Sequence, residues 1–278
     1  MTENIFSIDV EEIFHAEYVR HTQKKYDYRT PQNIPVILDL LREYDITATF
    51  FVVGEILEKF PEIINMLKDE GHEISFQGWR HIPLWDMNVD TFKEGVEKFN
   101  RVHPNCMGFR APSFSLSNET KWALDVIKEG GYVYDSSIFP ARTPLYGLPS
   151  SPLKPYYPSL DDISRESDIN YGIMEFPLAV YPLFGFNVPM AGGFWLRFWN
   201  TGIVERCIKK MNEKGLPAVI YVHNWELDPE TPKIDLSFLK GFVTYRNLSQ
   251  TVKKLKYLFD RFRFTSFKAY INSNIDVT

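Results

Sequence analysis

Apolar residues recur along the chain with two alternating spacings. IFSIDV (5–10) reads as a strand, and NIPVILDLLREY (33–44) carries apolar residues at helical spacing, with Pro35 tolerable in a first turn. ITATFFVVG reads as a strand rich in β-branched and aromatic residues. PEIINMLKDEG (61–71) follows as a helix that opens on proline and stops at glycine. The unit then repeats: strand HEISFQG, helix VDTFKEGVEKFNRV with Asp90 near its start, and strand CMGFRA. Helix SNETKWALDVIKEGG follows, with Ser117 or Asn118 as cap and a double-glycine end, and then strand YVYDSS.

From Ile138 to about Leu196 the rhythm breaks into a segment dense in Pro, Tyr, Gly and Ser, with one further strand candidate, IMEFPLAVY. A long irregular stretch inside an enzyme is more often a cleft wall than an idle linker. Helix TGIVERCIKKMNEKG, strand LPAVIYVHNWEL, helix NLSQTVKKLKYLFDRF and a strand-like FTSFKAYI complete the pattern. Such alternation with short connections predicts a parallel sheet clothed by helices. Ligands of these folds collect at the carboxyl ends of the strands. No repeat or low-complexity tract marks a boundary, so residues 1–278 are expected to form one domain.

Composition narrows the class. The chain has 278 residues, 44% hydrophobic and 15% aromatic, enough to bury a core without disulfides. A formal net charge of -5 argues against a nucleic-acid partner, which requires a basic face. Cys106 and Cys207 stand far apart and belong to no CxxC set. The apolar runs ITATFFVVG and LPAVIYV are strand-sized, so no membrane insertion is expected. MTENIFSIDVEE shows no secretory pattern, and the expected location is the cytoplasm. GxGxxG after a strand, GxxxxGK[ST] and GxSxG are all missing, which disfavours the matching nucleotide cofactors and serine-based acyl chemistry.

The informative polar residues stand at successive strand ends. Asp9 and Glu11 alternate with Val10 and point to one side of an extended chain, as suits a metal ligand beside a proton acceptor. A polar strand end is the competing explanation. After the third strand come Gln77, Gly78, Trp79, Arg80 and His81; if a helix starts there, Gln77 and His81 share a face and can grasp one ion. Arg110 ends the fourth strand and can hold a carboxylate base ionised, or form a structural salt bridge. Asp135 ends the fifth strand, as a pocket wall or a turn. His223, followed by Trp225 and Glu226, is placed for proton transfer or for packing. Trp79, Trp85, Trp195, Trp225, Phe194, Tyr156 and Tyr157 are candidates for stacking on sugar rings, or core filling. The SSPLKPYYPS and NVPMAGGFW segments are expected to shape the entrance.

The stretches SIDVEE, GHEISFQGWRH, GFRAPSFSL, YVYDSSIFP, EFPLAVYPLFGFNVPMAGG, YVHNWELDPETP and FVTYRNL run through nearly the whole chain. With them the sequence resembles the polysaccharide deacetylases, carbohydrate esterase family 4, and especially the branch found beside exopolysaccharide export and exosortase systems. The resemblance implies an α/β fold, a distorted (β/α)7 barrel with its active site at the carboxyl ends of the strands. It implies metal-dependent removal of the N-acetyl group of an amino sugar, the ion being zinc, or alternatively cobalt or nickel. Carried over residue by residue, Asp9 is the base, Glu11 the metal carboxylate, His81 a metal imidazole, Arg110 the partner of the base and His223 the acid. Trp79, Pro112, Asp135 and Trp225 fall on substrate-facing positions. The departure is Gln77, which stands where the family's HGxxH motif has its first histidine. Two alternatives follow: a deacetylase or deformylase of a nucleotide- or lipid-linked amino sugar, and a carbohydrate-binding protein with impaired catalysis. His72 precedes its strand and is expected at the opposite end of the barrel.

Overall fold

A computed structural model describes residues 2–21, 26–183 and 185–275. Its strands are β1 (Asn4–Val10), β2 (Thr49–Val52), β3 (Glu73–Phe76), β4 (Gly108–Phe109), β5 (Tyr134–Asp135) and β6 (Met174–Glu175). A hairpin follows, β7 (Val180–Leu183) with β8 (Phe186–Pro189), and then β9 (Val219–His223) and β10 (Phe264–Thr265). Phe184, inside one of the family-like stretches, lies outside the described residues.

Apart from the hairpin the strands form one parallel sheet in the order β10-β1-β2-β3-β4-β5-β6, with β9 also on β1. It curls into an open half-barrel flanked by helices, as the expected distorted barrel requires. β1 is buried along its whole length because β9 covers one edge and β2 the other, with Ser7 and Asp9 turned to the buried Arg110 guanidinium. Phe6, Phe50, Phe51, Phe76 and Phe109 are fully buried and tie the sheet to the helices. β5, β6 and β9 continue the sheet begun by β1 to β4, so one core runs through both halves of the chain.

The helices are α1 (Thr30–Glu43), α2 (Gly54–Lys59), α3 (Glu62–Asp69), α4 (Val89–Val102), α5 (Trp122–Glu129), α6 (Gly193–Phe198), α7 (Thr201–Asn212), α8 (Phe238–Tyr245), α9 (Thr251–Phe259) and α10 (Phe267–Asn274). Several differ from the sequence reading. The segment read as strand FTSFKAYI pairs with β1 only through Phe264 and Thr265, and then turns into α10 behind the Ser266 cap. ITATFFVVG leaves the sheet at Val52, and Gly54 opens α2 because the Trp79 ring packs where a side chain would stand. α1 starts three residues before the expected segment, with Pro31 in its first turn. Asn88, rather than Asp90, caps α4 by accepting from the Thr91 N–H. α5 begins only at Trp122, and the Asn118 side chain accepts from the Ile163 N–H instead of capping it.

Candidate active site

β1, β3 and β9 deliver the polar residues to one cleft of about 140 Å³, lined by Asp9, Glu11, Gln77, His81, His223 and Trp225 among others. The β1–β9 register sets Asp9 beside His223, and the residue after β1's end carries Glu11 to the same mouth. The chain after β3 is no helix. Gly78 and His81 both take positive φ, 79° and 53°, and this turn folds Gln77 and His81 into the cleft by a loop rather than by helical spacing.

Hydrogen bonds fix the state of each ring. The His81 Nδ1 lies 3.1 Å from the His15 carbonyl, which can only accept, so Nδ1 carries the proton and Nε2 presents a lone pair. That Nε2 is 2.5 Å from Glu11 Oε2. Yet Glu11 Oε2 and Gln77 Oε1 are both buried without a hydrogen-bond partner. A carboxylate oxygen and an amide oxygen without a hydrogen bond thus stand beside the His81 Nε2 that contacts the carboxylate, a donor set that a divalent cation would suit. Among the described residues no group of three or more His, Cys, Asp and Glu side chains is arranged to hold a metal. The amide of Gln77 is what separates this set from such a group.

Glu11 is held from behind. The Trp225 indole N–H donates to its Oε1 at 3.2 Å, and its own N–H donates to Asn224 Oδ1 at 2.9 Å. Burial pushes the Glu11 carboxyl up, but when His81 and His223 are protonated their charges outweigh it and hold the pKa down at about 2.

Asp9 faces Arg110, with Nη1 2.5 Å from Oδ1, and both side chains are fully buried. Arg110 also donates to the Ser136 carbonyl, Ser136 Oγ and Ser7 Oγ, and its guanidinium lies 4.1 Å from the centre of the Phe51 ring. Burial raises the Asp9 pKa above the usual aspartate value despite the opposing charges of Arg110 and His223.

The His223 imidazole sits 3.8 Å from Glu11 Oε1 and 3.1 Å from Glu226 Oε2. Glu226 in turn is gripped by the buried Arg197 of α6, Nε to Oε1 at 2.6 Å. Burial would lower the His223 pKa, but the carboxylates of Glu11 and Glu226 raise it to about 9. Arg197 escapes sequence reading. The only hint is a lone charge inside the aromatic run GFWLRF.

The glycines of AGGF do allow a close approach: a Cβ on Gly192 would lie 1.7 Å from the Tyr221 carbonyl oxygen. NVPMAGGFW contributes Phe194 to the cleft wall, whereas the other wall comes from Leu145 and Tyr146 rather than from SSPLKPYYPS.

Several residues expected to face substrate do not line the cleft. Trp79 lies against Gly54 and Gly95, wedged between α2 and α4. Pro112 packs over Gly78 beneath the floor formed by Ala111 and Ser113. Asp135 is buried, accepts from Ser137 Oγ, and adjoins Glu175 across the β5–β6 ladder. Trp225 does line the cleft, but one face is stacked on His223 with ring centres 5.0 Å apart. Tyr156 is a core residue whose hydroxyl donates to the Ile163 carbonyl.

Residues 24–133 match the polysaccharide deacetylase family, and residues 136–272 match a domain of unknown function, DUF3473. A peptidoglycan-N-acetylglucosamine deacetylase of Bacillus cereus is 35% identical over 98 residues, 33% of this chain and 35% of that protein. A peptidoglycan-N-acetylmuramic acid deacetylase of Bacillus subtilis is 30% identical over 95 residues, 32% of this chain and 36% of that protein. The chain therefore spans little more than a third of these curated relatives. In fold it resembles a Mycobacterium smegmatis protein described as a polysaccharide deacetylase, with TM-score 0.57, 15% identity, and 99% and 91% of the two chains covered. It also resembles the allantoinase PuuE, with TM-score 0.60, 14% identity, and 100% and 93% covered.

The relatives overturn one expectation. Peptidoglycan, the polymer named for them, lies outside the cytoplasmic membrane, so the cytoplasmic assignment does not stand. It rested on the absence of a leader in the sequence, which is no evidence of location. No helix of the described residues is long and apolar enough to cross a membrane.

Proposed function

We propose, for a chain whose residues 24–133 match the polysaccharide deacetylase family, that it hydrolyses the N-acetyl group of an amino sugar in a glycan. The observation that carries this reading is the meeting of Asp9, Glu11, Gln77, His81 and His223 in one cleft, with Glu11 Oε2 and Gln77 Oε1 buried and unsatisfied. Glu11, His81 and Gln77 would hold a divalent cation, zinc by preference and cobalt or nickel as alternatives. Such an ion, when bound, supplies a polarised acyl carbonyl and a water made acidic near neutral pH. Asp9, kept in place by Arg110, takes the proton of the attacking water. His223, held by Glu226, gives a proton to the departing amine. Arg197 acts through Glu226 as a positioning residue.

The two matched segments work as a single catalytic unit across residues 1–278 in this reading. Arg110 comes from the first matched segment, His223 from the second and Asp9 from the strand that precedes both, and the sheet is continuous between them. The finer assignment to exopolysaccharide export rests on the motif wording alone.

Acetate release from N-acetylated oligosaccharides and peptidoglycan fragments, with N-formylated and nucleotide-linked sugars alongside, tests the proposal. Release that is abolished by chelator, restored by metal and lost in Asp9→Asn supports it. Gln77 favours the second reading, a sugar-binding protein without turnover. That reading gains if only Gln77→His releases acetate while the unaltered chain still binds the oligosaccharide.

A further inference from the structure

Two buried carboxylates have no role in the chemistry proposed above. Asp135 and Glu175 are register partners in the parallel β5–β6 ladder, so their side chains leave the same face of the sheet side by side, and both are fully buried. One oxygen of each has a defined partner: Asp135 Oδ1 accepts from the Ser137 hydroxyl at 2.6 Å, and Glu175 Oε1 accepts from the Ile138 N–H at 2.9 Å. The other two, Asp135 Oδ2 and Glu175 Oε2, find no donor among the described residues. Such buried groups are uncommon and call for a partner.

The charged and titratable neighbours do not supply one. Arg110, just after β4, acts on Asp135 through its charge, but its N–H groups go to Asp9, Ser7 and Ser136. Tyr156, which pairs with Glu175 through the backbone, sends its hydroxyl to the Ile163 carbonyl. Two ionised carboxylates side by side in a dry interior are untenable, whereas one proton between them satisfies both idle oxygens. Burial pushes both carboxyls up; the Asp135 charge adds to this at Glu175, and the Arg110 charge opposes it at Asp135. Glu175 therefore carries the proton and donates to Asp135.

The pair grips the residues that hold the base. Ser137 Oγ, fixed by Asp135, accepts from the Ala111 N–H at 2.7 Å, and Ile138 is tied to Glu175. Ser136, within this tethered stretch, receives Arg110 twice, at its carbonyl (2.9 Å) and its hydroxyl (3.1 Å). Arg110 in turn holds Asp9.

We infer that Asp135 and Glu175 share a single proton, and that this locked pair is the positioning device that keeps Arg110 on the Asp9 base. The positioning role rests on the deacetylase reading; the shared proton does not.

The proton is tested by urea unfolding of the full chain and of Glu175→Gln at pH 5.5 and 6.5. Glutamine keeps the acceptor for Ile138 and offers its own N–H to Asp135, but carries no titrating proton. Glu175 is protonated in the fold and ionised in the unfolded chain above its ordinary pKa, so the unaltered chain loses stability as pH rises through this window, and the variant lacks that contribution. The ratio of the two unfolding constants should change about 10-fold across the pH unit; a constant ratio overturns the shared proton. The tether is tested by hydrogen exchange of the Arg110 Nε–H, followed by NMR. Glu175→Met should speed it at least about 10-fold and Glu175→Gln should keep the protection. Unchanged exchange in Glu175→Met or, should that variant not fold, in Ser137→Ala overturns the positioning role. In acetate release Ser137→Ala should lower kcat about 10- to 100-fold with KM unchanged, as a slightly misplaced base requires, and an undiminished kcat overturns the role as well. The unfolding and exchange readouts need no turnover, so a chain that releases no acetate at all refutes the deacetylase reading and is distinguished from failure of the shared proton or the tether.

Discussion

Arg110→Met removes the cation that shares the sealed interior with Asp9, and its cost follows from what each partner loses. Arg110 makes four hydrogen bonds, to Asp9, Ser7 and twice to Ser136, and neither it nor Asp9 touches solvent appreciably. Methionine keeps the length of the side chain and its contact with Phe51 but leaves Asp9 as a buried carboxylate without a counter-charge. Breaking a buried pair in this way costs about 3–5 kcal/mol. In the double variant Asp9→Asn/Arg110→Met the orphan is a neutral amide, whose unsatisfied state costs about 1–3 kcal/mol. The double variant should therefore be roughly 2 kcal/mol more stable than Arg110→Met alone, a factor of about 30 in the unfolding equilibrium, where additivity would make it less stable by the cost of Asp9→Asn. The sign of the pH dependence follows from Asp9, whose folded-state pKa is already raised by burial and rises further without Arg110. The folded single variant then binds more protons than the unfolded chain above the ordinary aspartate pKa, so its deficit grows as pH rises from 5 to 7. Urea titration followed by tryptophan fluorescence at both pH values measures these quantities. A loss under about 1 kcal/mol in Arg110→Met, or a double variant as unstable as the sum of the singles, would refute the reasoning.

Three further outcomes are expected. Gln77→His replaces a neutral amide oxygen by an imidazole nitrogen and should tighten zinc binding at least about 10-fold in a chelator competition titration; unchanged affinity would remove Gln77 from the ligand set. Gly192→Ala should cost at least about 2–3 kcal/mol, read as a lowered urea midpoint, because the new Cβ meets the Tyr221 carbonyl at 1.7 Å and the strand cannot retreat without losing the Tyr221–Ala191 hydrogen bond; a neutral result would contradict the close approach. His103 titrates at about 4 in the fold against an ordinary 6.5, so the unfolded chain binds the extra proton between those values and stability is lost as pH falls through that window. The full shift corresponds to about 3 kcal/mol, reduced to roughly 1–2 by nearby water and by salt, and His103→Gln should flatten the slope of the urea midpoint between pH 7 and 4.5.

The alternating pattern was enough to read the parallel sheet, because a buried strand such as β2 announces itself as a short apolar run, while β1 interleaves apolar residues with Ser7 and Asp9. It failed where tertiary contacts override local pattern. Residues 264–271 look extended by composition, yet the Ser266 hydroxyl and the Glu73 carboxylate cap a helix there, and Glu73 lies far away in sequence. The placement of a candidate residue was legible wherever it stands at a strand end, as with Asp9, Arg110 and His223, which the fold brings to one rim. It was illegible where a loop or a remote helix completes it: Trp79 follows β3 directly, but its ring turns outward between two glycines, and Arg197 reaches the cleft from α6. A residue's place at a strand end fixes which rim it occupies, but not which way the following loop turns it.

That distinction bears on Gln77. An amide oxygen is a weaker donor than an imidazole nitrogen, and a site that uses it must lose less elsewhere to hold an ion. The surroundings supply such support. Glu11 is fixed by the Trp225 and Asn224 side chains, and its carboxyl stays ionised with a pKa of about 2. The His15 carbonyl selects the tautomer of His81 that leaves Nε2 open, and His15 is itself anchored, since its Nδ1 accepts from the Glu12 N–H and its Nε2 meets Glu55 at 2.9 Å. These contacts orient Glu11 and His81 with or without an ion, so metal titration of the unaltered chain beside Gln77→His decides whether the amide is tolerated.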